Sequence, residues 1–135
     1  MHNLAMELCD NGHIVTGSDD AIYDPALTRL KEKGILPEAM GWYPERVHAG
    51  LDIVILGMHA RADNPELKKA QEEGIKVMSF PEFMYEHSKD KKRVIIAGSH
   101  GKTTTTSMVL HLLRSAGKEV DYLVGAQLEG FGNMV

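Results

Sequence analysis

Apolar residues in this chain gather in short runs, and the segments between them carry helical spacing. Asp52-Ile53-Val54-Ile55-Leu56-Gly57 is a continuous apolar run closed by glycine, the pattern of a strand buried on both faces. Ile75-Lys76-Val77-Met78 predicts the next strand, His13-Ile14-Val15-Thr16-Gly17 an earlier one after the Asn11-Gly12 turn, and Val94-Ile95-Ile96-Ala97 and Leu123-Val124-Gly125 two later ones. Helices fall between them. Met1 to Cys9 places Leu4, Ala5 and Leu8 on one side before Asn11-Gly12 ends it. Asp24-Pro25 supplies an N-cap and a proline at the first helical position, Leu27 and Leu30 share a face, and Gly34 stops the helix. Asn64-Pro65-Glu66 starts another in the same way and Gly74 ends it, while Phe80 to Tyr85 predicts a short helix opening at Pro81. Val109, Leu112, Leu113 and Ala116 make one stripe of a longer helix closed by Gly117, with His111 and Met108 as packing or surface residues.

Strand, helix, strand, helix with short turns predicts a parallel, doubly wound sheet, an α/β fold of Rossmann-like type. Ser88-Lys89-Asp90-Lys91-Lys92 is a charged break in the pattern. It is either a domain boundary, giving a Rossmann-like domain at 1–88 and the beginning of a P-loop ATPase domain at 89–135, or a solvated loop within one domain. A nucleotide-binding unit of this kind opens with a strand and a glycine-rich phosphate loop. The sequence begins instead with a helix, and no carboxylate constellation follows the last predicted strand. The pattern therefore predicts a fragment or a partly observed chain.

The sharpest chemical signal is Gly98-Ser99-His100-Gly101-Lys102-Thr103-Thr104, set between the apolar run at 94–97 and the helix that follows. Strand, glycine turn and a Lys-Thr pair at a helix N-terminus are the physical requirements for holding a polyphosphate, because free N–H groups and the helix dipole both favour an anion there. Lys102 would neutralise phosphate oxygens and the Thr103 hydroxyl would complete a magnesium shell. The general P-loop pattern needs a glycine at 96, where this chain has Ile96, so the match is to a shortened form. The plainer alternative is a glycine turn before a threonine-rich helix start with an exposed lysine.

Composition narrows the class. The chain has 135 residues, 43% of them hydrophobic and 25% charged, as expected of a globular domain. A net charge of −4 gives no electrostatic ground for nucleic-acid binding. No apolar stretch suits a membrane span and no signal-peptide pattern opens the sequence. Cys9 is the only cysteine, which excludes an internal disulfide and suits a reducing cytoplasm.

With these residues in place the sequence resembles the Mur ligases, ATP-dependent amide-bond-forming enzymes of bacterial cell-wall synthesis. Residues 98–104 are similar to the family's shortened P-loop, and His100 is typical of the branch acting on UDP-N-acetylmuramate. Val15-Thr16-Gly17-Ser18-Asp19, Ile22-Tyr23-Asp24-Pro25 and the stretch 125–131 resemble the member that returns the tripeptide L-alanyl-γ-D-glutamyl-meso-diaminopimelate to that sugar. The related L-alanine-adding enzyme usually has a Ser-Ser-Ala-Ile-like segment where Gly57-Met58-His59-Ala60 stands. The resemblance implies ATP and Mg2+ as cofactors, with Gly98, Ser99, His100, Gly101, Lys102, Thr103 and Thr104 around the nucleotide, Lys102 catalytic and Thr103 on the metal. It implies UDP-N-acetylmuramate and a tripeptide or L-alanine as substrates, joined through an acyl phosphate on the muramyl carboxylate. In the first domain Ser18 and Asp19 stand at the end of a strand where such units place a ribose-facing carboxylate, though Asp19 reads equally as a turn residue. His59, just past the 52–57 run, would meet the sugar diphosphate or simply be solvated. Two other classes remain: a non-catalytic nucleotide-binding module, and a nicotinamide-dependent dehydrogenase, which gives Lys102-Thr103 no task. The fragment alone is expected not to catalyse ligation.

Overall fold

The computed structural model describes residues 1–126, 128 and 131. In chain order it contains α1 (His2–Asp10), α2 (Ala26–Lys33), a 3-10 turn at Pro44–Arg46, β1 (Val54–Leu56), α3 (Pro65–Glu72), β2 (Val77–Ser79), α4 (Phe80–Ser88) and α5 (Lys102–Ser115). The chain divides into two compact units. One holds Met1–His2 and Val15–Lys92, the other Asn3–Ile14 and Arg93–Val135.

The first unit is built on a parallel pair. β1 and β2 lie side by side with Val54 opposite Val77, Ile55 opposite Met78 and Leu56 opposite Ser79. A parallel pair needs a crossover, and α3 supplies it. Asn64 starts α3: its side-chain oxygen accepts from the N–H groups of Glu66 (2.9 Å) and Leu67 (3.1 Å), and Pro65 follows at a position where its missing donor costs nothing. Gly74 turns the chain out with φ +68°, and Ile75 N–H then reaches back to the Ala70 carbonyl at 2.9 Å. Leu67 and Ala70 are the buried face of α3. Together with Leu30 and Val47 they form this unit's core.

α2 and α4 close by equally local means. Gly34, at φ +74°, ends α2, and the Ile35 N–H bonds the Leu30 carbonyl at 3.0 Å. At its start the Asp24 carboxylate accepts from Thr28 Oγ1 (2.6 Å) and the Thr28 N–H (3.1 Å). α4 carries a capping box. Ser79 Oγ accepts from the Glu82 N–H while the Glu82 carboxylate accepts from the Ser79 N–H, so α4 begins at Phe80. It runs on to Ser88, past the predicted end at Tyr85.

Several expected strands are not formed, for one reason. Residues 13–18, 94–97 and 121–124 are extended or irregular and are not paired among the described residues. A strand is stabilised by its ladder and by cross-strand packing, not by its own apolar content. Ile14 is fully exposed, and Val94 and Ile95 are 76% and 84% exposed. The run at 52–57 shortens to Val54–Leu56 and is half-buried, not buried on both faces, because it has one neighbouring strand. The stripe expected on α5 is also shifted. Leu110 is its buried residue, while Leu112 is 66% exposed. In α1 the buried side chains are Leu4 and Met6, which lie on different sides of the helix, in place of the single Leu4-Ala5-Leu8 face. In the second unit Tyr122 meets Phe131 edge-on at 5.7 Å. Gln127, Glu129 and Gly130 of the 125–131 stretch lie outside the described residues.

Two outcomes follow from the helix starts. Asn64→Ala removes the acceptor for two N–H groups and is expected to lower stability by about 1 kcal/mol, read by urea denaturation. Asp24 is held below the usual carboxylate range, first by the Thr28 hydroxyl and then by the Thr28 N–H. Its depressed pKa stabilises the fold above the unfolded carboxylate's pKa, and that contribution fades as the pH falls through the folded one. Thr28→Val should therefore raise the Asp24 pKa in an NMR titration and reduce the stability difference between neutral and acidic pH.

Candidate functional site

The glycine turn at 98–101 is shaped by two glycines in backbone regions that side chains avoid, Gly98 at φ +154° and Gly101 at φ +74°, ψ 0°. Gly101 is the residue immediately before α5. No side chain caps this helix and no acidic residue stands in its first turn. That sets it apart from α2, α3 and α4, each of whose first-turn N–H groups meets a side-chain oxygen. The N-terminal donors of a 14-residue helix are thus left exposed, with the positive end of its dipole unopposed.

Lys102 folds back over the turn. Its Nζ donates to the carbonyl of Gly98 at 2.6 Å and to that of Ser99 at 3.3 Å. The ammonium is held over the loop by two neutral carbonyls and no carboxylate, so an incoming anion meets an uncompensated charge. Ser99 Oγ and His100 Nδ1 lie 3.2 Å apart, an exposed pair on the same turn. The hydroxyls along α5 divide into two sets. Thr106 and Ser107 donate back to the carbonyls of Lys102 and Thr103, both at 2.8 Å, whereas the Thr103 and Thr104 hydroxyls form no hydrogen bond among the described residues.

This donor set fits a nucleotide with its magnesium ion. The described residues contain no group of three or more His, Cys, Asp or Glu able to hold a metal by themselves. Magnesium at phosphate sites is commonly bound by one or two protein oxygens, with phosphate and water filling the rest. A free Thr103 hydroxyl beside Lys102 meets that requirement.

The remaining predicted site residues belong to the other unit. Ser18 is half-buried and Asp19 exposed, and Asp19 forms an isolated antiparallel bridge with Gly41, whose N–H donates to the Asp19 carbonyl at 2.8 Å. His59 is exposed on the turn after β1 and makes no hydrogen bond or ion pair among the described residues, so Asp19 and His59 are not joined. The bridge brings in residues that hydrophobic spacing does not mark. Tyr43 folds back toward Gly41, and the Arg46 guanidinium carbon stands 4.3 Å from the centre of the Tyr43 ring. The sequence signal for this loop is local: a glycine followed by adjacent aromatics and a proline, Gly41-Trp42-Tyr43-Pro44.

Comparison with known proteins finds a family model and several relatives. Residues 1–92 match the family model described as Mur ligase family, catalytic domain, a span that ends before the glycine turn. UDP-N-acetylmuramate--L-alanine ligase of Bradyrhizobium sp. (strain ORS 278) is 40% identical over 132 residues, covering 98% of this chain and 28% of the relative. That of Caldicellulosiruptor saccharolyticus is 42% identical over 134 residues, covering 98% and 29%. Among solved structures, the UDP-N-acetylmuramate:L-alanyl-gamma-D-glutamyl-meso-diaminopimelate ligase of Neisseria meningitides matches with a TM-score of 0.83 and 30% identity, over 98% of this chain and 41% of that one. A murein peptide ligase from Psychrobacter arcticus matches at 0.80 and 34%, over 93% and 26%. The chain thus spans less than a third of the length of these curated relatives.

Gly101→Ala tests the turn. A Cβ there meets nothing within 4 Å, so the whole cost is conformational, about 1–2 kcal/mol for a non-glycine residue in left-handed backbone. ATP affinity measured by calorimetry on the full-length protein should fall, and Gly101→Asn, which tolerates that region better, should recover part of it.

Proposed function

The chain belongs to the Mur ligase family, and from that premise we propose that it contributes the nucleotide turn and part of the UDP-sugar site to an ATP-dependent ligase of peptidoglycan precursor synthesis. The observation that supports this most is the uncapped start of α5, with Gly101 in the left-handed region and Lys102 lying over the turn. ATP would bind with its β- and γ-phosphates against the N–H groups of the turn. Lys102 would exchange its two carbonyl partners for phosphate oxygens and offset the charge that grows as the γ-phosphoryl group moves. Thr103 would bind the magnesium ion that accompanies the nucleotide. The muramyl carboxylate would accept the phosphoryl group, and the incoming amine would attack the acyl phosphate and release phosphate.

The amine is read here as the tripeptide L-alanyl-γ-D-glutamyl-meso-diaminopimelate, as in murein peptide ligases. The 15–25 segment and Gly57-Met58-His59-Ala60 support that reading, as does the likeness to two solved ligases of this kind. A second reading, L-alanine as the amine, is favoured by the names of the curated relatives at about 40% identity. Phosphate release with each amine in turn, at saturating ATP and UDP-N-acetylmuramate, decides between them. Turnover with L-alanine and none with the tripeptide overturns the first reading. A reaction on these substrates belongs to the cytoplasm, and no helix among the described residues is long and apolar enough to cross a membrane.

In the full-length protein Lys102→Ala should lower ligation about a hundred- to a thousandfold, since one transition-state contact to a developing anion contributes about 3–4 kcal/mol. Near-normal turnover of this variant at saturating ATP would sink the assignment. Thr103→Val keeps the shape and removes the hydroxyl. It should raise the magnesium concentration needed for half-maximal activity more than it weakens nucleotide binding. An unchanged magnesium titration makes Thr103 a structural residue.

A further inference from the structure

The loop at residues 40–46 holds Asp19 from outside its own segment. Residues 14–22 form no strand, and among the described residues the bond from Gly41 N–H to the Asp19 carbonyl (2.8 Å) is the one hydrogen bond any of them makes. The backbone position of Asp19 therefore depends on where Gly41 is, while its carboxylate also interacts with the Met1 ammonium. Gly41 is itself fixed from several directions. Its φ of +123° disfavours any side chain, although a Cβ there would make only ordinary contact with the Tyr43 ring and hydroxyl at 3.6 to 3.8 Å. Tyr43 Oη donates to the Met40 carbonyl at 3.0 Å, which closes the loop on itself, and Arg46 lies over the other part of the stack at 4.3 Å from the ring centre. The loop is then tied to the core. The Tyr43 N–H donates to Glu66 Oε1 on α3 at 2.7 Å in a partly buried bond, and Val47, just past the 3-10 turn, is buried. A loop held at its middle by a helix, at its tip by its own tyrosine and at its end by the core is a rigid arm.

We propose that this arm, with Gly41 and Tyr43 as positioning residues, sets Asp19 for the nucleoside end of a uridine-diphosphate sugar. The inference rests on the reading that Ser18 and Asp19 border that ligand, and it adds what holds them there. Trp42 adjoins the bridge, so the change in tryptophan emission that is lost on Trp42→Phe reports the arm.

The test uses the full-length protein with uridine 5′-diphosphate as the probe, calorimetry for affinity and Trp42 emission for the arm. Gly41→Ala should weaken uridine diphosphate binding about tenfold, the strain of a side chain at positive φ expressed as affinity, and leave ATP affinity unchanged. Gly34→Ala is the matched control, since Gly34 also has positive φ (+74°) with open space around it but caps α2 without touching Asp19. It should bind uridine diphosphate as the parent sequence does. Asp19→Asn should weaken binding as well, and Gly41→Ala added to it should cost little more, because both changes act through one group. Additive losses, or equal losses in the Gly34 control, make the arm a general stability element and overturn the proposal. If Gly41→Ala does not fold, Tyr43→Leu, which removes the hydroxyl bond and the Arg46 stack without altering φ, carries the same comparison. Binding by the parent that none of these variants changes overturns the arm alone. No binding of uridine diphosphate by the parent overturns the sugar-site reading and the arm with it.

Discussion

The parallel pairing of β1 with β2 is the constraint on which the first unit depends. Parallel strands cannot be joined by a tight turn, so the register Val54–Val77 exists only if the intervening chain crosses over and returns. α3 makes that return in eight residues, and it does so because both its ends are fixed locally: Asn64 satisfies the first free donors and Gly74 satisfies the last free acceptors. With its ends set, the Leu67 and Ala70 face has one place to go, down onto the core. Glu66, in the first turn of the same helix, then reaches out to the Tyr43 N–H, so the element that sets the strand register also fixes the 40–46 loop. Sheet, core and loop share one crossover.

This explains which parts of the fold were legible in the sequence. α2 and α3 begin and end close to where Asp24-Pro25, Gly34, Asn64-Pro65 and Gly74 place them, since a cap is a contract between residues a few positions apart. Ser79-Phe80-Pro81-Glu82 carries the same kind of signal, a capping box, which marks the start of α4 but not its end at Ser88. Strands are different. Val94-Ile95-Ile96-Ala97 is as apolar as the run containing β1, yet it is unpaired among the described residues, because pairing depends on a partner that local pattern does not specify. The misplaced stripe on α5 has a related origin. Apolar residues at Val109, Leu110, Leu112 and Leu113 allow more than one buried face, and packing, not spacing, chose Leu110.

The candidate sites divide along the same line. The geometry of the turn at 98–104 was readable because it is contiguous: two glycines for the backbone path, a lysine within reach of its own loop and a hydroxyl at the head of a helix. Asp19 was only half readable. Its place after an apolar run suggested a ribose contact, but what holds it is Gly41, twenty-two positions away, through a bridge that no spacing rule announces. The aromatic loop had a visible composition, but its bond to the Asp19 carbonyl lies beyond any local pattern.

The helix starts carry the last step of the argument. Three helices of this chain spend a polar side chain on their first turn: Asp24 on α2, Asn64 on α3 and Ser79 on α4. A sequence under selection for stability alone has the same choice at α5, where an Asp, Asn or Ser in place of Gly101 adds a side-chain acceptor for a first-turn N–H, a gain over glycine of about a few tenths of a kcal/mol when its backbone permits. Instead the position holds a glycine in left-handed backbone, followed by a lysine whose charge opposes the helix dipole and is kept near it by two carbonyls. The missing side-chain cap and the lysine at the positive end of the dipole are both unfavourable for an isolated helix. An anion bound at the turn reverses both, accepting from the free N–H groups, opposing the dipole and pairing the ammonium. On the proposed function, this departure from the capping of α2, α3 and α4 is stability given up in the unliganded protein and recovered when phosphate binds.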